Sequence, residues 1–172
     1  MNDLELDQCI HKIGENDMAA LQALYEEMQK PVYLYILSML HHTASAEDLT
    51  QTVFLNIRAY APKYHARGKA KAWIFTIAKN LVLSEYRKSG RTEGFEEHEN
   101  TPSSLSVEGE VLSRDRVLAL LGLLKEAERQ IVTLHLYGGL NHQEIALALS
   151  LPYEQVRWKY AYALKKMKKQ LQ

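Results

Sequence analysis

The stretch Leu140–Lys159 reads LNHQEIALALSLPYEQVRWK. Asn141 and Glu144 stand three apart, the spacing at which an asparagine side chain caps a helix and a glutamate closes the box back onto the cap. The helix so begun is short, because Ser150-Leu151-Pro152 interrupts it. Pro152 suits the first turn of a second helix, where its missing N–H goes unused. Two helices joined this closely pack at an angle, which calls for a small residue inside the first and a branched apolar residue inside the second. Ala146 and Val156 supply them at a compatible spacing. The turn position usually given to glycine holds Ser150, which is strained if its φ is positive. The spacing therefore predicts a helix-turn-helix.

The second helix divides into two faces. Val156, Tyr160, Ala163, Met167 and Leu171 form the expected inward stripe, with Gln155, Lys159, Tyr162, Lys166 and Lys169 opposite. A helix lying in the major groove reads base edges mainly with its N-terminal turns. Tyr153, Gln155, Arg157, Trp158 and Lys159 are the candidates for that role, with Tyr162 and Lys166 farther along the DNA-facing side. Lysines toward the C-terminus would hold phosphates more than choose sequence.

Working outward, nearly everything else also reads as helix. Asp17 is placed to cap a helix through Leu21, Leu24 and Met28 to Leu40, kinked at Pro31. Ser45 and Asp48 resemble a capping box ahead of Leu49, Val53, Phe54 and Ile57, and Pro62 ends that helix. A helix from about Lys69 to Lys88 carries Ile74, Ile77, Ala78 and Leu81 as its buried stripe, with Trp73, Thr76, Asn80, Ser84 and Arg87 opposite. From Ser89 to Ser106 glycines, serines and glutamates leave too little apolar material for a core, which predicts a flexible acidic linker. Periodicity resumes with Val107, Val111, Leu112, Leu118 and Leu121, and a further helix holding Ile131, Leu134 and Leu136 stops at Gly138-Gly139. The fold class expected is all-α: residues 1–89 and 107–172 as two small helical domains, joined by a linker over 90–106.

The zero net charge conceals segregation. Residues 58–91 hold nine bases against Glu85 alone, and the tail from Tyr153 holds six against Glu154. Between them, residues 92–113 carry six glutamates and no base. Two basic blocks on separate amphipathic helices, with an acidic spacer between, indicate two contacts with a polyanion. An indole, an amide and a guanidinium along one face of the 69–88 helix suit a surface that holds unpaired bases.

The stretch Ala44–Phe54 (ASAEDLTQTVF), followed by Ala72–Asn80 (AWIFTIAKN), resembles region 2 of the extracytoplasmic-function sigma factors of bacterial RNA polymerase. Leu140–Ala146 with Val156-Arg157 resembles their region 4. The resemblance implies that the first half binds core RNA polymerase, with Asp48 and Gln51 as interface residues. It implies that Tyr64, Arg67, Lys69, Trp73, Asn80, Arg87 and Lys88 engage the −10 element, with Asn80 and the loop holding a base flipped from the non-template strand. Region 4 would read the −35 element, and an anti-sigma factor is an expected partner. Ser84, Thr76, Tyr162 and Leu164 depart from the family's usual residues, and promoter sequence is therefore not transferable from relatives.

Other functions find little support. One cysteine forms no internal disulfide framework and no multi-cysteine zinc site. None of the seven histidines sits in an H-E-x-x-H pattern, and P-loop, G-x-S-x-G and dinucleotide fingerprints are missing from the sequence. No catalytic residue, metal or cofactor is expected. The longest apolar run, Val32–Leu40, falls well below the roughly 18–20 residues of a membrane span. With the acidic N-terminal residues, this gives a cytoplasmic protein without secretory leader or membrane insertion as the expectation. The alternative is a stand-alone helix-turn-helix regulator that binds operator DNA without polymerase, which leaves Trp73, Asn80 and Asp48 without a role.

Overall fold

The computed structural model describes the backbone of residues 1–90 and 109–171 and the side chains of 1–90 and 115–171. The expected linker lies, apart from Gly90, outside the described residues. The order is α1 (Asp3–Gly14), α2 (Met18–Leu40), α3 (Thr43–Tyr60), a 3-10 turn (Ala61–Lys63), α4 (Ala70–Lys88), α5 (Gly109–Gly122), α6 (Glu126–Leu136), α7 (His142–Leu149) and α8 (Tyr153–Gln170). Among the described residues no strand occurs.

The first four helices form one bundle. α1 starts in a reciprocal capping box, with Asn2 Oδ1 accepting from Glu5 N–H at 2.8 Å and the Glu5 carboxylate accepting from Asn2 N–H at 2.8 Å. Its Leu6, Ile10 and Ile13 are buried at helical spacing. Asp17 caps α2 through Ala20 N–H at 3.1 Å, and the helix continues through Pro31 to Leu40. Contrary to the Ser45 reading, the cap of α3 is His42, whose Nδ1 accepts from Ser45 N–H at 3.1 Å. Asp48 therefore does not cap this helix. The Tyr86 hydroxyl ties α4 to the end of α2 by donating to Met39 O at 2.8 Å.

α5–α8 form the second group, with α8 lying on α6 and α7. The helix-turn-helix has the anticipated parts. Asn141 and Glu144 form the capping box, Ser150 ends α7 at φ 54°, Pro152 is the N-cap of α8, and Ala146 and Val156 are buried. A small apolar cluster of Leu121, Leu124, Val132 and Ala163 joins α5, α6 and α8.

The two groups also pack on each other, α6 against α2 and α7 against α4. One hydrophobic cluster runs from Leu6 through Phe75 to Ile131, Leu140, Ile145 and Val156. Within it the Tyr35 hydroxyl donates to Gln130 Oε1 at 3.2 Å, a buried bond between the halves. Phe75 meets the Tyr35 ring edge-on at 5.7 Å. α4 is thus packed against both its own bundle and α7, with Ile74, Phe75 and Ala78 all buried, while Leu81 is only half-buried.

Candidate nucleic-acid interface

The basic loop between the 3-10 turn and α4 is held by acids of α1. Asp7 is buried, and its carboxylate accepts from Gly68 N–H at 2.8 Å and from the Tyr64 hydroxyl. One turn earlier, Asp3 Oδ1 accepts from Lys71 N–H at 2.9 Å, satisfying an orphan donor in the first turn of α4. Burial, then the bond to Asp7, pushes the Tyr64 hydroxyl well above its ordinary range, so it stays a neutral donor. The Tyr64 ring lies 4.6 Å from Trp73, which is half-buried. Arg67 and Lys69 on the loop, and Asn80, Arg87 and Lys88 along α4, are exposed. The structure thus brings Tyr64 and Trp73 together and leaves the other five exposed on the loop and on α4. Sequence reasoning misses Asp3 and Asp7, although two acids four apart ahead of an apolar helix face are visible in the sequence.

α8 presents the second surface. Tyr153, Gln155, Arg157, Trp158 and Tyr162 are exposed, whereas Lys159 is half-buried. Arg157 lies 5.8 Å from the Tyr153 ring centre and 3.8 Å from the Glu154 carboxylate. Lys166 reaches back to the buried Glu128 of α6 at 3.2 Å, its ammonium 4.6 Å from the Tyr162 ring centre. This lysine therefore links α8 to α6. Leu171, expected on the inward stripe, is 58% exposed in the last turn. On α3, Asp48 and Gln51 are both exposed.

Behind α8 an aromatic cluster joins α6, α7 and α8. His135 and Tyr160 lie 5.0 Å apart, His142 and Tyr160 4.8 Å, and the two imidazoles 5.7 Å. His135 Nδ1–H donates to Leu140 O at 2.9 Å. Burial, then His135 and Arg157, lowers the His142 pKa below its ordinary value. A His whose folded pKa is depressed favours the folded state above its unfolded pKa of about 6.5 and loses that advantage as pH falls toward the folded value. Acidification from pH 7.5 to 5.5 is therefore expected to lower the melting temperature more for the native chain than for His142→Gln. Equal shifts in a thermal melt series would assign the acid sensitivity to other groups.

Among the described residues no helix is long and apolar enough to cross a membrane, and no group of three or more His, Cys, Asp or Glu is placed to hold a metal ion.

Comparison with known proteins identifies both halves. The family described as Sigma-70 region 2 matches residues 24–92, and Sigma-70, region 4 matches residues 120–169. The ECF RNA polymerase sigma factor SigK of Mycobacterium tuberculosis is 24% identical over 174 residues, covering 95% of this chain and 92% of the relative. That of Mycolicibacterium vanbaalenii is 29% identical over 150 residues, covering 83% and 76%. Among solved structures, CnrH in complex with the cytosolic domain of CnrY shares the fold with a TM-score of 0.75 at 18% identity, covering 97% of each chain. RpoE from Bartonella quintana, in complex with the anti-sigma factor NepR, gives a TM-score of 0.71 at 19% identity, covering 87% of this chain and 95% of that one. The two matched regions in this order, on one all-helical chain, place it in the sigma-70 family, among the extracytoplasmic-function sigma factors of RNA polymerase.

Proposed function

We propose that this sigma factor divides promoter recognition between residues 1–89 and 107–172. Core polymerase docks on α3 around Asp48 and Gln51. The 64–71 loop and α4 engage the −10 element, with Tyr64, Arg67, Lys69, Trp73, Asn80, Arg87 and Lys88 on the strand. α8 enters the major groove at the −35 element with Tyr153, Gln155, Arg157, Trp158, Lys159 and Tyr162, while Lys166, expected on the same side, is engaged by Glu128 and supports Tyr162 from behind. The observation that carries this reading is that two cationic helical surfaces and the uncapped Asp48 all face solvent on one chain. Bond chemistry belongs to the polymerase, and the protein works in the cytoplasm, where the polymerase is.

The packing of α7 on α4 has a consequence for this division. Elements named −35 and −10 lie about 25 base pairs apart, on the order of 85 Å of duplex. A compact chain of this length is about 40 Å across. One packed body does not span both elements, and the halves separate in the promoter complex. Each half then binds weakly, and the tether raises the effective concentration of the second once the first is engaged. A partner that holds the halves together keeps the factor from DNA, which is how an anti-sigma factor would act here; two neighbours of like fold are themselves bound to partner proteins.

Purified protein is expected to bind core RNA polymerase, and alanine at both Asp48 and Gln51 to weaken binding at least tenfold, the order of about 1.4 kcal/mol. Fluorescence anisotropy of labelled protein titrated with core enzyme measures it. Absence of core binding with duplex DNA still recognised would instead make the chain a stand-alone regulator.

A further inference from the structure

The outer face of α8 carries an aromatic ladder that the packing of the protein does not use. Trp158 is 65% exposed and Tyr162 is 44% exposed. Their rings are parallel within 2° with centroids 5.6 Å apart, one helical turn apart on the same side. Lys166 closes one end over Tyr162, and Tyr153 with Arg157 continues the series toward the N-terminus. Two large rings left this exposed are costly to hydrate, and their stacking gives the side of the helix a rigid, flat apolar edge. The flanking charge favours a nucleic acid as the occupant, since six bases stand against Glu154 from Tyr153 onward. The first helix of the motif and α6 lie behind α8, so this edge remains open while the two halves are packed together.

The major groove offers one apolar group to such an edge, the C5 methyl of thymine. The other side chains nearby point the same way. Gln155 is exposed and suited to a bidentate contact with adenine, thymine's pairing partner. The usual guanine readers, arginine and lysine, are represented in the first turns by Arg157, which is drawn toward Glu154 and Tyr153, and by Lys159, which is half-buried. Lys166 is held by Glu128. Resting on the reading of α8 as the −35 helix, we propose that Trp158 and Tyr162 are specificity-determining residues that read thymine methyl groups, so that the upstream element of this factor's promoters is rich in A·T pairs with adjacent thymines on one strand.

The full chain is used to select duplexes from a pool with a short randomised segment, and the recovered sequences are remade with deoxyuridine, which lacks only the methyl, in place of thymidine. Each methyl is expected to contribute about fourfold in affinity, the worth of one buried carbon, and two adjacent ones roughly tenfold or more. Trp158→Ala should bind the thymine and uracil duplexes equally well. Its circular dichroism should be unchanged, since the side chain is mostly in solvent. Equal binding of thymine and uracil duplexes by the native chain, with the selected sequence still preferred over a scrambled one, overturns the methyl readout and leaves α8 as the reading helix. No sequence preference at all, with core polymerase still bound, overturns both. Loss of core polymerase binding in Trp158→Ala with the thymine–uracil difference intact would make the ladder a protein-docking edge and overturn the proposal.

Discussion

Arg129→Met is expected to destabilise the protein by about 2–4 kcal/mol, the order for losing buried hydrogen bonds from a charged donor. The side chain is 4% exposed, and Glu126 lies near enough to favour its charge. Its work is done by the geometry of the guanidinium. Nε–H donates to Leu121 O at 3.0 Å and Nη2 to Leu124 O at 2.9 Å, two carbonyls at the end of α5 and in the turn to α6. Nη1 approaches His41 Nε2 at 3.3 Å, across the boundary to the first bundle. Helix C-terminal carbonyls lack intrahelical partners, and a buried one left unpaired costs about 1–3 kcal/mol. Methionine fills the volume but donates nothing, so Leu124 O and the imidazole lose the arginine while Leu121 O keeps only its bond from Leu124 N–H at 3.1 Å. Burial already lowers the arginine's pKa, and the network retains its charge because the group is so basic. Arg129→Lys should recover only part of the loss, since an ammonium does not reach both carbonyls in the planar fork that arginine supplies. Urea unfolding followed by circular dichroism tests this. A loss under about 1 kcal/mol for the methionine variant would show that water replaces the fork.

The local chemistry of the helix-turn-helix was fully legible. Asn141 and Glu144 cap, Ala146 and Val156 meet, and Ser150 adopts the positive φ that its position at the turn implied. These features depend on residues within about fifteen positions, where side-chain chemistry and backbone geometry are directly coupled. α1 was less legible, although its Asn2–Glu5 box and its Leu6, Ile10 and Ile13 stripe obey the same rules. Its acids stood out as charge, and their real partners are backbone N–H groups of Gly68 and Lys71, more than sixty residues away. The cap of α3 was misplaced because a neutral imidazole, here His42, accepts a backbone bond as serine does but is a rarer choice. On α4 a single buried stripe was too simple. Phe75 lies outside the expected stripe yet is buried between Tyr35 of its own bundle and Gly138 of the second group, and an amphipathic pattern does not name which apolar residues belong to which neighbour. The contact between the halves was invisible for this reason: Tyr35, Phe75, Ile131 and Leu140 each look like the core of their own half. At the candidate site the exposed aromatic and basic residues of α8 were read from the face pattern, while the ion pair of Lys166 with Glu128 depends on how α6 crosses α8.

Gly138→Ala is expected to loosen the contact between the halves and lower stability by about 2–3 kcal/mol, near the upper end for overpacking. A Cβ at this position would stand 2.6 Å from Leu134 O, 2.9 Å from Leu140 Cδ1 and 3.0 Å from Phe75 Cε2. The leucine side chain is able to turn away, but the other two neighbours are constrained. Leu134 O belongs to the backbone of α6, and its displacement disturbs the hydrogen bond from Leu140 N–H at 3.2 Å. Phe75 is fully buried, and its ring is braced against Tyr35 at 5.7 Å. The clash with Leu134 O is relieved only inside the second group, by a shift of the turn after α6, and that shift together with the Phe75 contact pushes the turn off α4 and strains the bond between Gln130 and the Tyr35 hydroxyl. Gly139→Ala is the control. That glycine has φ +69°, and an added Cβ would meet only the far end of Lys71 at 3.8 Å. Its cost is the backbone strain alone, roughly 1–2 kcal/mol, with no push on Phe75. In small-angle X-ray scattering the Gly138 variant should show a larger radius of gyration than the native chain, and the Gly139 variant should not. If opening the halves is what promoter binding requires, Gly138→Ala should also bind promoter DNA with core polymerase at least as well as the native chain despite its lower melting temperature. Expansion without retained promoter binding would mean that the α4 surface is deformed when the halves part, and that Phe75 organises the −10 contact as well as the closed form.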